Sequence, residues 1–202
     1  MYVNESLREI NLKIVIFGPM YSGKSANMQY IHTNASPAHK GGLFILDDSE
    51  NPSAIFDFLQ LEVGRIQDKT VNCNLYSVPD PERYNQTCMK ILHGADGLVY
   101  VADSRESMMD INLQTLLSLE SYLKKENRSL EQFSWVLQYN KRDLPAIATV
   151  EEMDNLLNFY GVPSFETIAP EGKGVKACLK EIVKQVLAGV RGRTTYRGAK
   201  SA

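Results

Sequence analysis

Apolar positions along this chain fall into two alternating patterns. Short runs apolar at successive positions, such as Leu98–Val101, predict strands buried on both faces of a sheet. Strands are accordingly expected at Leu12–Phe17, Leu43–Leu46, Val71–Val78, Gly97–Ala102, Ser134–Gln138 and Ser164–Ile168. Amphipathic stretches between them predict helices at Ser25–Asn34, Arg83–His93, Met108–Glu126, Val150–Tyr160 and Val175–Ala188. In the fourth, Val150, Met153, Leu157 and Tyr160 recur at helical spacing behind Thr149, and Glu152 completes a capping box. Alternating strand and helix imply right-handed crossovers and an α/β fold. Its sheet should be mostly parallel, six-stranded or slightly extended, with helices on both faces. The polar segment Asp47–Leu59, with Pro52, is expected as a loop running into IFDFLQLEV. A further strand there, antiparallel to the next, would make the sheet mixed.

The length of 202 residues suits one domain, and 22 basic against 24 acidic residues leave a net charge of -2. That balance provides no field for extended nucleic-acid binding or an anionic lipid surface. No apolar run reaches the ~20 residues of a membrane span, and the first residues form neither a signal nor a transit peptide. Cys73, Cys88 and Cys178 are isolated and odd in number, which suits a reducing cytoplasm and excludes a disulfide framework. Residues 1–188 are expected to be the folded domain. Residues 189–202 carry glycines and basic residues without an acid, and they read as a disordered basic tail lacking a lipidation cysteine.

Chemistry concentrates in KIVIFGPMYSGKSANMQYIH. Gly18, Pro19, Met20, Tyr21, Ser22, Gly23, Lys24, Ser25 and Ala26 follow a buried strand and open a helix, the context a Walker A phosphate loop requires. Glycines let successive N–H groups converge on phosphate oxygens. Lys24 would bridge the β- and γ-phosphates, Ser25 would ligate Mg²⁺, and the helix start adds its positive dipole end. A second motif selects the base. Asn140-Lys141-Arg142-Asp143 follows the fifth strand. The Asp143 carboxylate would accept both N1–H and N2–H₂ of guanine, a donor pair adenine lacks. Asn140 would bond the base edge and the loop, and the Lys141 stem would pack along the base plane. Ala169 lies in IAPEGKG after the sixth strand, a position that resembles the loop whose backbone meets guanine O6 in Ras-like proteins.

These motifs, in this order, resemble the small GTPases of the Ras superfamily, and more closely the MglA-like bacterial GTPases of cell polarity and gliding motility. REINLKIVIFGPMYSGKSANMQYI, IFDFLQL, NLYSVPD, GADGLVYVADS, QYNKRDLP and TVEEM carry the resemblance, which covers about residues 4–188. It implies a P-loop, Ras-like G domain and a GTP/GDP switch with Mg²⁺. It also implies effector proteins, an MglB-like Roadblock partner and recruitment to a cell pole. The switches depart from that pattern. Where the family has Val-Pro-Gly-Gln, this chain has Val78-Pro79-Asp80-Pro81-Glu82, so the glycine N–H for the γ-phosphate and the water-orienting glutamine are missing. Glu82 is the weak remaining candidate for placing water. Pro52 replaces the family's arginine finger, while Ser53 retains a hydroxyl in the family's threonine position toward Mg²⁺. Ser77 stands at the Walker B position, where the family already lacks a carboxylate. Guanine-nucleotide binding with weak or absent GTP hydrolysis is therefore expected. The rival readings are a competent GTPase using Glu82 or a partner's residue, and a nucleotide-independent interaction protein. A P-loop kinase is a distant third that leaves NKRD unexplained.

Overall fold

The computed structural model describes residues 2–48, 51–78 and 83–197. Among them, eight strands make one mixed sheet: β1 (Tyr2–Asn4), β2 (Glu9–Phe17), β3 (Lys40–Asp48), β4 (Asn51–Ile66), β5 (Lys69–Ser77), β6 (Gly97–Asp103), β7 (Ser134–Asn140) and β8 (Ser164–Glu166). The order is β3-β4-β5-β2-β6-β7-β8. β5, β2, β6, β7 and β8 run parallel, whereas β3–β4 and β4–β5 are antiparallel hairpins. β1 lies antiparallel to Glu9–Asn11 on the flank of β2 that β6 takes over from Ile14 onward. Three residues are too few to show a period, so sequence pattern gave no sign of it. The helices are α1 (Lys24–Asn34), α2 (Asn85–Leu92), α3 (Met109–Lys125), α4 (Val150–Leu157) and α5 (Val175–Arg197).

Strand alternation sorts the core into two layers. Ile14, Ile16, Leu75 and Val101 point to one face, where Met28 and Ile31 of α1 and Cys178 and Ile182 of α5 cover them. Val15, Phe17, Tyr100, Leu137 and Tyr139 point to the other, beneath Cys88 of α2, Leu116, Leu119 and Leu123 of α3 and Met153 of α4. Every residue of β6 is buried, as a central strand covered on both faces requires.

Four boundaries differ from expectation. The loop expected over Asp47–Leu59 is largely strand: β3 runs to Asp48 and β4 starts at Asn51, with Asp47 opposite Ile55 and Leu46 opposite Phe56. Polar and proline residues are tolerated because β4 extends beyond its pairing with β5 at Phe58–Tyr76 and needs only the β3 edge there. α4 stops at Leu157 rather than Tyr160, because the Asn158 side chain accepts from Val162 N–H at 2.8 Å and donates to the Val162 carbonyl at 2.9 Å, turning the chain. β8 ends at Glu166, where Thr167 and Ile168 leave the ladder to pair with the loops after β7 and before α5. The backbone of α5 continues past Ala188 to Arg197, since Gly189 and Gly192 each cost only ~1 kcal/mol in a helix.

The capping box of α4 is present: Glu152 N–H donates to Thr149 Oγ1 at 3.2 Å and Thr149 N–H donates to Glu152 Oε2 at 2.7 Å. Replacing Thr149 with alanine should cost ~1 kcal/mol and lower the melting temperature by about 2–4 °C in a chain of this size. Calorimetry of Thr149→Ala checks this, and an unchanged melting temperature contradicts it.

Candidate functional site

At the carboxyl ends of β2, β6, β7 and β8 the chain leaves the sheet in loops that meet one another, the usual ligand-binding end of an open parallel sheet. Residues 18–23 pass directly from β2 into α1. Gly18 has φ 151°, and a Cβ on it would stand 2.2 Å from the Val101 carbonyl oxygen, so only glycine lets the loop cross β6 so closely. Gly23 has φ 103°, and a Cβ there would stand 2.1 Å from Asn140 Nδ2. Tyr21, at φ 60°, takes the left-handed region without being glycine and lies exposed beside Met20 at the loop tip. Lys24 is buried, and its ammonium donates to the carbonyls of Gly18 and Pro19 at 2.9 and 2.8 Å. The cation is thus held over the loop by the loop's own backbone. Ser25 is exposed in the first turn of α1, whereas Ala26 packs against the core.

Asn140 joins this loop to the others. Its Nδ2 donates to the Ser22 carbonyl at 2.8 Å, and its Oδ1 accepts from Ala169 N–H at 3.0 Å and Thr167 Oγ1 at 3.1 Å. The side chain is buried, and its structural partners are the loops themselves. Lys141 has φ 67° and its ammonium lies 2.7 Å from Asp103 Oδ2. Arg142 donates to Glu166 and to the Ala148 carbonyl, which pins the turn against β8 and the start of α4. Asp143 is exposed, and among the described residues it makes no ion pair. The sequence-predicted residues Gly18–Ala26, Asn140, Lys141, Asp143 and Ala169 therefore fall on adjoining loops at one end of the sheet. Glu82, with Pro79, Asp80 and Pro81, lies outside the described residues. Ser53 lies in β4, and its side chain is likewise outside the description.

Two carboxylates of this end carry chemistry that motif reading did not assign. Asp103 closes β6 with a fully buried carboxylate, gripped by Arg105 in a forked pair whose shortest contact is 2.7 Å, and by Lys141. Burial pushes this carboxyl up, but hydrogen bonds from Arg105 and Lys141 outweigh burial and hold it below its ordinary value. Asp57, in β4, accepts from Ser77 Oγ at 2.9 Å while its own N–H donates back to Ser77 Oγ at 2.8 Å. Ser77 is the register partner of Ile16, whose side chain faces α1, so the Asp57–Ser77 pair sits on the α1 face where β2 gives way to the phosphate loop. The cysteines take no part: burial pushes the Cys73 and Cys178 thiols up to about 12, leaving them neutral.

No family model matches the chain. The mutual gliding-motility protein MglA of Myxococcus xanthus (strain DK1622) is 41% identical to it over 186 residues, which cover 92% of this chain and 95% of that protein. This chain belongs to the MglA family of Ras-superfamily small GTPases. More distant MglA-family kinship extends to eukaryotic Ypt/Rab-type GTPases. The ypt7 protein of Pyricularia oryzae is 27% identical over 188 residues, covering 91% of this chain and 85% of that one. The ypt7 protein of Schizosaccharomyces pombe is 27% identical over 183 residues, covering 87% and 82%.

The depressed Asp103 carboxyl gives a pH signature. Its ionised form contributes stability above the ordinary carboxylate range, and that contribution fades as pH falls through the folded-state value. Asp103→Asn should therefore melt well below the wild type at pH 7, with the gap narrowing below about pH 4. Melting curves across pH 3–8 check this, and a gap that is constant with pH contradicts it.

Proposed function

We propose that this protein is an MglA-type regulatory GTP-binding protein of gliding motility and cell polarity. It holds GTP or GDP with Mg²⁺ and hydrolyses GTP slowly or not at all. The observation that carries this reading is the junction of the phosphate loop, the NKRD turn and the Ala169 loop through the single buried carboxamide of Asn140. In it, the N–H groups of residues 20–25 receive the phosphates, Lys24 moves from the Gly18 and Pro19 carbonyls onto phosphate oxygens, and Asp143 reads the guanine edge. Residues 1–188 act as the nucleotide-binding unit, with residues 189–202 as a basic appendage. Effector proteins and an MglB-like Roadblock partner would read the nucleotide state, with recruitment of the protein to a cell pole as the outcome.

The residues suit a magnesium ion held chiefly through the nucleotide. Among the described residues no three metal-ligating side chains cluster, so protein ligands alone do not form a cage. Ser25 offers an exposed hydroxyl at the start of α1, and Ser53 is the second hydroxyl proposed for the metal. Asp57, hydrogen-bonded to Ser77, supplies a carboxylate beside the Walker B position that lacks one. Bound Mg²⁺ would neutralise phosphate charge. Hydrolysis is a separate matter. Pro52 stands where the family has its charge-stabilising arginine, a group worth roughly 10³–10⁵ in rate, and Pro81 where it has glutamine. Glu82, or a residue supplied by a partner, is the route left to a competent enzyme.

Nucleotide extracted from freshly purified protein should be GTP or GDP at close to one per chain, and GTP-loaded protein should turn over far more slowly than a family member with both catalytic groups. An empty protein that takes up no guanine nucleotide overturns the binding reading. Fast turnover abolished by Glu82→Ala establishes the competent GTPase instead. Asp57→Asn should raise the Mg²⁺ concentration needed to retain bound GDP by about tenfold or more, read by fluorescent-nucleotide release against Mg²⁺. An unchanged requirement removes Asp57 from the metal site.

A further inference from the structure

The interior beside the phosphate loop holds a chain of amides that core packing does not require. Asn27 on α1, Gln138 on β7, and Thr167 and Asn140 near the sheet end are all buried to at least 98%. Asn27 Nδ2 donates to the Gly23 carbonyl at 3.0 Å, and Gln138 Nε2 donates to Asn27 Oδ1 at 2.7 Å and to Thr167 Oγ1 at 3.0 Å. Thr167 Oγ1 donates to Asn140 Oδ1 at 3.1 Å, and Asn140 Nδ2 returns to the Ser22 carbonyl at 2.8 Å. The chain of contacts closes into a ring through the Ser22–Gly23 peptide. Cys178 on α5 lies 3.7 Å from Gln138 Oε1, on the amide's remaining side. Apolar side chains of the same size would fill positions 27 and 138 with no desolvation cost, so mere filling does not account for two buried amides.

We infer that Gln138 and Asn27 are positioning residues that couple the phosphate loop to the base-reading turn. The ring ends on two consecutive carbonyls, those of Ser22 and Gly23. Trans peptide planes put the N–H of the next residue on the opposite edge from each carbonyl. Fixing these carbonyls therefore aims the N–H groups of Gly23 and Lys24 toward the side where a phosphate would lie. The other end of the ring holds Asn140 and, through its Oδ1, the Ala169 N–H. A ligand that orders one loop thus lowers the cost of ordering the other, which is positive coupling between base and phosphate within one site. This inference rests on the nucleotide reading above and adds how the two halves of the ligand are felt together.

Release of N-methylanthraniloyl-GDP at fixed Mg²⁺ tests it in Gln138→Met, Asn27→Leu and the double variant. Coupling predicts release at least tenfold faster in each single variant, with the double variant no worse than the poorer single one, because both cut the same ring. It also predicts that the wild type's preference for GDP over inosine diphosphate, which lacks the N2 amino group, shrinks in Gln138→Met. Additive effects, or a lower melting temperature with unchanged release, overturn the proposal and leave a structural network only. If Gln138→Met does not fold, Asn27→Ala carries the same comparison. If the wild type holds no fluorescent GDP, the nucleotide reading fails by itself. The ring is then judged by amide exchange, with Gly23 and Lys24 expected to lose protection at least tenfold in Asn27→Ala while β6 does not. Equal protection contradicts the ring's positioning role.

Discussion

The approach of Gly23 to Asn140 is the constraint on which this end of the molecule depends. The loop after β2 and the turn after β7 come from strands separated by β6, and they nevertheless touch. The contact exists because position 23 has no Cβ to occupy the space of the Asn140 amide, and because that amide satisfies the Ser22 carbonyl in a place closed to water. A methyl group at 23 would force the two apart. It would also strand a buried carbonyl and a buried amide, each costing about 1–3 kcal/mol unpaired. The same logic fixes Gly18 against the Val101 carbonyl, so one edge of the loop is set by a backbone carbonyl and the other by the Asn140 side chain.

Electrostatics reinforce that frame without a large net charge. Asp103 is buried at the end of β6 and satisfied by Arg105 and Lys141, which holds the lysine of the NKRD turn against the end of β6. Buried charge of this kind is costly to break from one side, since a lone partner is left in a low dielectric. On the proposed function, holding and hydrolysing a nucleotide would depend on different parts of the chain. The residues proposed to hold it are locked by the sheet, two glycines and buried polar contacts. The hydrolytic residues of the family belong to the switches, where this chain has Pro52, Asp80 and Pro81.

Much of the fold was legible because buried parallel strands announce themselves. Leu98–Val101 and Ile14–Phe17 are apolar without interruption, and both proved to lie in central strands. The capping box at Thr149 and Glu152 was readable because its two residues lie in one local pattern. What escaped was set by long-range pairing. Residues 51–54 look like a loop in isolation and become strand beside β3, where Asn51 stands opposite Asp48 and Ile55 opposite Asp47. At the site, motif spacing identified the residues that line the loops, but not Asp103, Asp57, Asn27 or Gln138. Each is a polar residue inside or beside an otherwise ordinary element, and its importance comes from partners far away in sequence, such as Asn27 for Gln138 and Ser77 for Asp57. No local pattern encodes such partners.

At the centre of the proposed function, one frame selects guanine nucleotides through Asp143 and the Asn140 junction. Calorimetric titration of nucleotide-stripped protein with GDP and ADP side by side, in Mg²⁺, tests this most directly. GDP should bind at one per chain at least a thousandfold more tightly than ADP, and Asp143→Ala should remove most of that preference. Equal affinity for the two nucleotides, or heat from neither, would contradict it.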